Sequence, residues 1–164
     1  MIKYVIKSLA YSAVLFVNLA AMGQTSNWKA EWIGLPHAPA DTNVWTAYHK
    51  VYQLKKIPKT AYAKIATDSK YWLWINGRLA VFEGQLKRGP NPRDTYFDEV
   101  DLAPYLVKGK NTIAVLTWYW GRDGFNHKNS GKSALLFEAA LGNEILQSDT
   151  TWKALRHPAF GHSG

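Results

Sequence analysis

Tyr71-Trp72-Leu73-Trp74-Ile75-Asn76-Gly77-Arg78-Leu79-Ala80-Val81-Phe82 is the stretch on which the fold turns. Asn-Gly between two β-prone runs suits a type I′ turn, because both central residues need positive φ and these two tolerate it best. The segment therefore predicts a β-hairpin. Side chains alternate along a strand, so Tyr71, Leu73 and Ile75 share one face while Trp72 and Trp74 share the other. A strand with large apolar groups on both faces needs cover on each side. One side is core; the other makes Trp72 and Trp74 candidates for a domain interface.

Outward from the hairpin the same grammar repeats. Residues Val44–Leu54 alternate Trp45, Ala47, His49 and Val51 with Tyr48, Tyr52 and Leu54, and stop at Lys55-Lys56-Ile57-Pro58. Ala61–Thr67 alternates again and ends in an Asp68-Ser69-Lys70 turn. Residues 112–120 form the longest β-prone run and predict a central strand. Residues 134–141 and Glu144–Gln147 flank Gly142-Asn143 as a second hairpin. Between 96 and 106 the reading is a short strand, an acidic turn at Asp98, Glu99 and Asp101, and one helical turn at 103–106. Long loops run over 85–94, stiffened by Pro90 and Pro92, and over 121–132. Turn residues every 8 to 12 or so positions, with no long amphipathic helix, predict an all-β antiparallel sandwich over 24–153. Residues 154–164 read as an unstructured tail or the start of a truncated next region.

The chain has 164 residues, room for one core. It contains no Cys, which removes disulfides, thiol nucleophiles and Cys-based metal centres. The formal charge of +8 invites a nucleic-acid reading, but the first segment argues otherwise. Residues 1–23 carry Lys3 and Lys7, then an apolar stretch, then Ala21-Met22-Gly23: the layout of a secretory signal peptide. The apolar run is too short and too broken for a spanning helix. Cleavage after Gly23 would leave +6, with no membrane span, in a secreted or periplasmic protein. The basic balance then reads as a solvated surface or as attraction to acidic polysaccharide, not as affinity for nucleic acid.

Catalytic signatures are missing. Asn129-Ser130-Gly131-Lys132-Ser133 ends like a phosphate-binding loop, yet Asn126 stands where that motif wants Gly. The five His fall at no metal-ligand spacing, and no G-x-S-x-G elbow occurs. Asp98 and Asp101 could share a Ca²⁺ by residue type, but the stepped acidic loop is absent and a solvated turn is the simpler reading, so no metal or other cofactor is expected. The aromatic load suggests sugar binding, since the C–H face of a pyranose packs on a ring while polar groups bond its hydroxyls. Trp118 and Trp120, with Arg122, Asp123 and Asn126 beyond them, are the candidates. Arg88, Asn91 and Arg93 in the Pro-rich loop would add polar contacts. Core packing is the commoner use of any single Trp.

The order of W-T-A-Y-H-K-V-Y (45–52), I-A-T-D (65–68), Y-W-L-W-I-N-G (71–77), Y-F-D-E-V-D-L (96–102), L-V-K-G-K-N-T-I-A-V (106–115) and D-T-T-W-K (149–153) resembles the N-terminal β-sandwich region of bacterial α-L-rhamnosidases of glycoside hydrolase family 78. It is similar, more loosely, to the jelly-roll sugar-binding domains of family 2 β-galactosidases and β-glucuronidases. The resemblance implies a jelly-roll, galactose-binding-like sandwich that is itself non-catalytic. The acid and base carboxylates of such enzymes lie in a separate (α/α)6 barrel, so no catalytic residue is carried over. It implies a parent glycoside hydrolase acting on terminal α-L-rhamnosides, and as partners a rhamnose-containing glycan and the catalytic domain of the same polypeptide. A purely structural domain packing on that catalytic domain is the alternative.

Overall fold

A computed structural model describes residues 28–36, 41–85, 96–125 and 127–160. Nine strands among them form two antiparallel sheets, the all-β sandwich expected from the sequence. The strands are β1 (Val44–Leu54), β2 (Ala61–Thr67), β3 (Lys70–Ile75), β4 (Arg78–Gln85), β5 (Asp98–Asp101), β6 (Gly109–Tyr119), β7 (Leu135–Leu141), β8 (Glu144–Gln147) and β9 (Lys153–Arg156). One sheet runs β4-β3-β6-β1-β9 and the other β5-β2-β7-β8. The expected central strand is central: β6 pairs with β1 over its whole length on one side and with β3 on the other.

The Asn-Gly hairpin forms as its chemistry demands, with φ of 52° at Asn76 and 77° at Gly77. Its tip is fastened to the neighbouring β6 and to the turn at Tyr105. The Asn76 side-chain amide donates to the Tyr105 carbonyl and to Asn111 Oδ1, both at 2.9 Å, and its Oδ1 accepts the Thr112 N–H at 2.8 Å. Between the sheets lie Tyr48, Ile65, Tyr71, Leu73, Ile75, Ile113, Val115, Leu135 and Phe137, all essentially inaccessible to water. Burial alternates along β3 and β6, the expected result of period-2 geometry with one face inward.

Two expectations change. Asp98, Glu99 and Asp101 belong to β5, not to a turn. Glu99 sits opposite Lys64 on β2, an opposite-charge cross-strand position that suits a strand poor in β-formers. The tail expected from 154 begins as strand: β9 pairs with β1, and the His157 N–H donates to the Trp45 carbonyl at 2.9 Å. The signal-peptide reading of 1–23 lies outside the described residues, as do Arg88, Asn91, Arg93 and Asn126. No helix among the described residues is long and apolar enough to cross a membrane.

Candidate functional site

The two sheets turn different outer faces to the surroundings. On the small sheet the outer positions include Tyr62, Lys64, Glu99, Asp101 and Glu138. The segment before β1 lies against them: Glu138 accepts the Lys29 and Ala30 N–H groups, and Lys64 Nζ sits 5.9 Å from the Trp28 ring. The outer face of the large sheet carries large apolar groups from all five strands, with His49 and its partner Lys153 among them. Phe82 and Leu79 on β4, Trp72 and Trp74 on β3, Leu116 and Trp118 on β6, Trp45 and Val51 on β1, and Leu155 on β9 all stand on it. Phe82 is 70% exposed and Leu155 65%.

Trp45 is the hub of this face. The β1–β6 register sets it opposite Trp118, and the rings stack at 5.9 Å. Above β6 it stacks on Trp72 at 5.3 Å, and Phe160 lies on it at 4.3 Å. Trp72 in turn meets the edge of Phe82. Asn43, held at φ 54°, accepts both indole N–H groups on its Oδ1, from Trp118 at 2.7 Å and from Trp45 at 3.2 Å. Asn tolerates this left-handed conformation better than most residues.

Trp118 stands on the outer side of β6 and Trp120 follows the strand's last residue, and the two do not share a setting. Trp120 packs under the following loop, where a Cβ on Gly124 would meet its ring at 2.7 Å and the His127 ring lies 6.3 Å away. Asp123 is occupied within that loop by Lys128 Nζ and by the Asn129 N–H at 3.0 Å. These bonds, the Lys128 contact first, hold its carboxyl below the usual range. Arg122 is exposed, and Phe125 nearby is fully exposed. Beneath the loop, buried Asp68 accepts the Ser130 N–H at 2.7 Å and lies 3.3 Å from His127 Nε2, without the alignment of a hydrogen bond. The interior at this end of the sandwich is polar, with Thr46, Thr67, Thr117, Ser69 and Ser133 all buried.

Asp98 accepts the Tyr71 hydroxyl at 3.0 Å and the Gln85 N–H at 2.9 Å, and Asp101 accepts the Ala103 N–H at 2.9 Å. The acidic group thus anchors β4 and opens the short 3-10 turn Ala103–Tyr105. Among the described residues no three His, Asp or Glu side chains are grouped to hold a metal ion.

No family model and no curated protein matches the chain. Solved structures do. The family 78 rhamnosidase of Bacillus sp. GL1 superimposes with a TM-score of 0.70 and 28% identity over 79% of this chain and 14% of that one. The chain resembles one domain of a family 78 rhamnosidase. The Aspergillus terreus α-L-rhamnosidase gives 0.63 at 20% identity, over 75% of this chain and 16% of that one. A Pleurotus ostreatus lectin solved with GalNAc gives 0.55 at 15%, over 77% of this chain and 36% of that one, a likeness of fold alone. This rhamnosidase-type sandwich spans 14 to 17% of the length of the rhamnosidases it matches.

Of the residues singled out by sequence, Trp72 and Trp118 meet in the aromatic cluster through Trp45, and Trp74 shares their face. Trp120 and Asp123 serve the neighbouring loop. Sequence reasoning passed over Trp45, Phe82 and Phe160 as site residues. For Trp45 and Phe82 the outward strand positions were readable; what brings Trp45 against Trp118 is pairing register, which no local pattern states.

Proposed function

We propose that this chain is a non-catalytic, carbohydrate-associated β-sandwich of an exported α-L-rhamnosidase-like glycoside hydrolase, whose other domains hydrolyse terminal α-L-rhamnosides. The observation that carries the reading is the 28% identity and 0.70 TM-score over most of this chain but only 14% of a family 78 rhamnosidase. The commitments of the acidic residues agree with it. Asp98 and Asp101 hold backbone and Tyr71 in place, and Asp123 is bound within its loop. Glycoside hydrolysis needs two carboxylates facing each other across a cleft.

Trp118, with Trp45 and Trp72 beside it and Arg122 beyond, is the surface proposed to lie along a rhamnose-containing glycan. Titration calorimetry of the chain with rhamnogalacturonan oligosaccharides tests this: weak binding is expected, reduced by Trp118→Ala. Absence of binding to any glycan overturns it. Release of 4-nitrophenol from aryl glycosides by the purified chain would overturn the non-catalytic assignment.

A second reading rests on the breadth of the apolar face. Exposed Phe82, Leu79, Val51 and Leu155 spread across the sheet beyond the reach of a single sugar ring, and broad exposed apolar surface of that kind marks protein contacts. Here the face packs on a neighbouring domain of the same polypeptide. Concentration-dependent self-association of the isolated chain, relieved by Phe82→Ser with Leu155→Ser, is the expected result; a monomer at all concentrations counts against it.

A further inference from the structure

We propose that the end of the sandwich formed by Lys55, Lys56, Lys59, Arg78, Lys108 and Lys110 is a second glycan-binding surface, whose partner is an acidic polysaccharide carrying repeated carboxylates. The proposal rests on the carbohydrate reading above and adds to it the charge of the glycan and a place for it away from Trp118. Register brings the six cations together. Leu54 is the cross-strand partner of Gly109, and Gln53 of Lys110, so the Lys108–Lys110 turn opens beside the point where β1 gives way to Lys55 and Lys56. Residues 55–60 then cross to the small sheet, where Pro58 lies 3.8 Å from the position a Cβ on Gly142 would take. Arg78 follows the Asn76-Gly77 turn at the same end, donating to the Pro104 carbonyl at 2.9 Å with its guanidinium 4.8 Å from the centre of the Tyr105 ring.

All six are exposed, and none forms an ion pair among the described residues. Those residues hold 15 Lys and Arg against 11 Asp and Glu. Six of the cations but only two of the carboxylates, Asp101 and Glu144, stand at this end, so the whole positive excess is here and the other described residues balance. Both carboxylates are engaged: Glu144 accepts the Tyr52 hydroxyl, and Asp101 accepts the Ala103 N–H at 2.9 Å.

Clustered like charges repel, so the fold gains nothing from holding these cations together. A polyanion supplies the counter-charge, and a surface of one sign speeds its capture. Ile57 and Val107, 52% and 47% exposed, stand among the cations to take the C–H faces of sugar rings. Five of the six cations are Lys, whereas Arg leads in phosphate and nucleic-acid recognition. The rings beside them, Tyr52 and Tyr105, are half-buried, and Arg78 lies over the second, an arrangement that suits a sugar carboxylate better than a stacked base.

Calorimetry of the full chain with polygalacturonate, and with the same polymer methyl-esterified, tests the proposal. The acidic polymer is expected to bind and the ester not, and the binding should weaken about tenfold between about 0.05 and 0.5 M salt as the charges are screened. Lys55→Gln and Lys108→Gln should each weaken it about two- to fivefold, the worth of one exposed ion pair. The quadruple variant with Lys56→Gln and Lys110→Gln added should lose more than about tenfold, while Lys132→Gln, the same change at the opposite end, leaves binding unchanged. Thermal unfolding separates a structural role: the quadruple variant is relieved of like-charge repulsion, so its midpoint should hold or rise. Binding that survives the quadruple variant, or that the ester matches, overturns the basic end and leaves the carbohydrate reading standing. So does tighter binding of a DNA oligonucleotide or of phosphatidylserine vesicles than of polygalacturonate at the same salt. Binding of rhamnogalacturonan oligosaccharides that falls with Trp118→Ala, without binding of polygalacturonate, also overturns the basic end alone. No binding of any glycan overturns both.

Discussion

Trp45 on β1 and Trp118 on β6 are register partners whose rings stack within 24° of parallel, and both indoles donate to the single Oδ1 of Asn43. Asn43→Ala removes that shared acceptor and places Ala at a φ of 54°, so it should cost about 1–2 kcal/mol. Trp45→Ala removes the centre of the cluster; full burial would cost about 3–5 kcal/mol, and at half burial about 2 is expected. Urea unfolding followed by circular dichroism checks both, and the tryptophan emission of Asn43→Ala should shift to the red.

Gly84 on β4 lies over the Tyr71 ring, where a Cβ would come within 2.4 Å of ring carbons. The ring is fully buried and its hydroxyl is bonded to Asp98, so it has nowhere to move. Gly84→Ala should destabilise by about 1–3 kcal/mol. The double variant Gly84→Ala with Tyr71→Leu should lose less than the two single losses combined, which a double-mutant cycle measures.

Tyr48 is buried, and burial pushes its hydroxyl up to about 12, the nearby Thr117 and Thr46 hydroxyls pulling it back in part without forming aligned bonds. The unfolded chain ionises near pH 10, so the neutral buried hydroxyl favours the fold fully below pH 10, and this contribution is lost as pH rises through 12. Tyr71 acts in the same direction, raised by burial and by the Asp98 charge. Tyr48→Phe should be neutral or slightly stabilising at pH 8 and should unfold at higher urea than the parent at pH 11.

Asp149 caps the turn before β9, accepting the Thr151 hydroxyl and, at 2.9 Å, the Thr151 N–H, with Lys50 Nζ 3.9 Å away. The Thr151 hydroxyl leads the causes that hold its carboxyl below 3.8. A depressed folded value contributes stability above the unfolded pKa and loses it as pH falls through the folded one. With the side chain a third exposed, the effect is small, about 0.5 kcal/mol after screening. Asp149→Asn should lower stability at pH 7 by roughly that amount and flatten the acid limb of the unfolding profile below pH 4.

Local chemistry carried much of the fold into view. Asn76-Gly77 announces its hairpin because few other pairs accept two positive φ angles, β1 and β2 carry enough alternation to mark their ends, and Gly142-Asn143 marks the start of β8. β5 stayed hidden because Asp and Glu are poor strand formers, and what holds them there is distant in sequence: Tyr71 and the Gln85 N–H for Asp98, and Lys64 across the sheet from Glu99. β9 is four residues, Lys-Ala-Leu-Arg, recognisable as a strand only from its place beside β1. The sites suffered for the same reason. Trp72 and Trp118 were visible as outward aromatics, but the ring between them arrives by register.

The β1–β6 ladder that spans the sandwich also sets the pace at which it assembles. Its partners are 55 to 75 residues apart in the chain, and those of β2 and β7 are 68 to 80 apart. Only the β3–β4 and β7–β8 hairpins close locally. Chains dominated by such distant pairings fold in milliseconds to seconds, orders of magnitude slower than helical bundles. For that interval the inward side chains of the Asn76-Gly77 hairpin, Tyr71, Leu73 and Ile75, lack the partners that bury them in the finished sandwich. A nascent chain is therefore at its most vulnerable to association until the distant strands arrive.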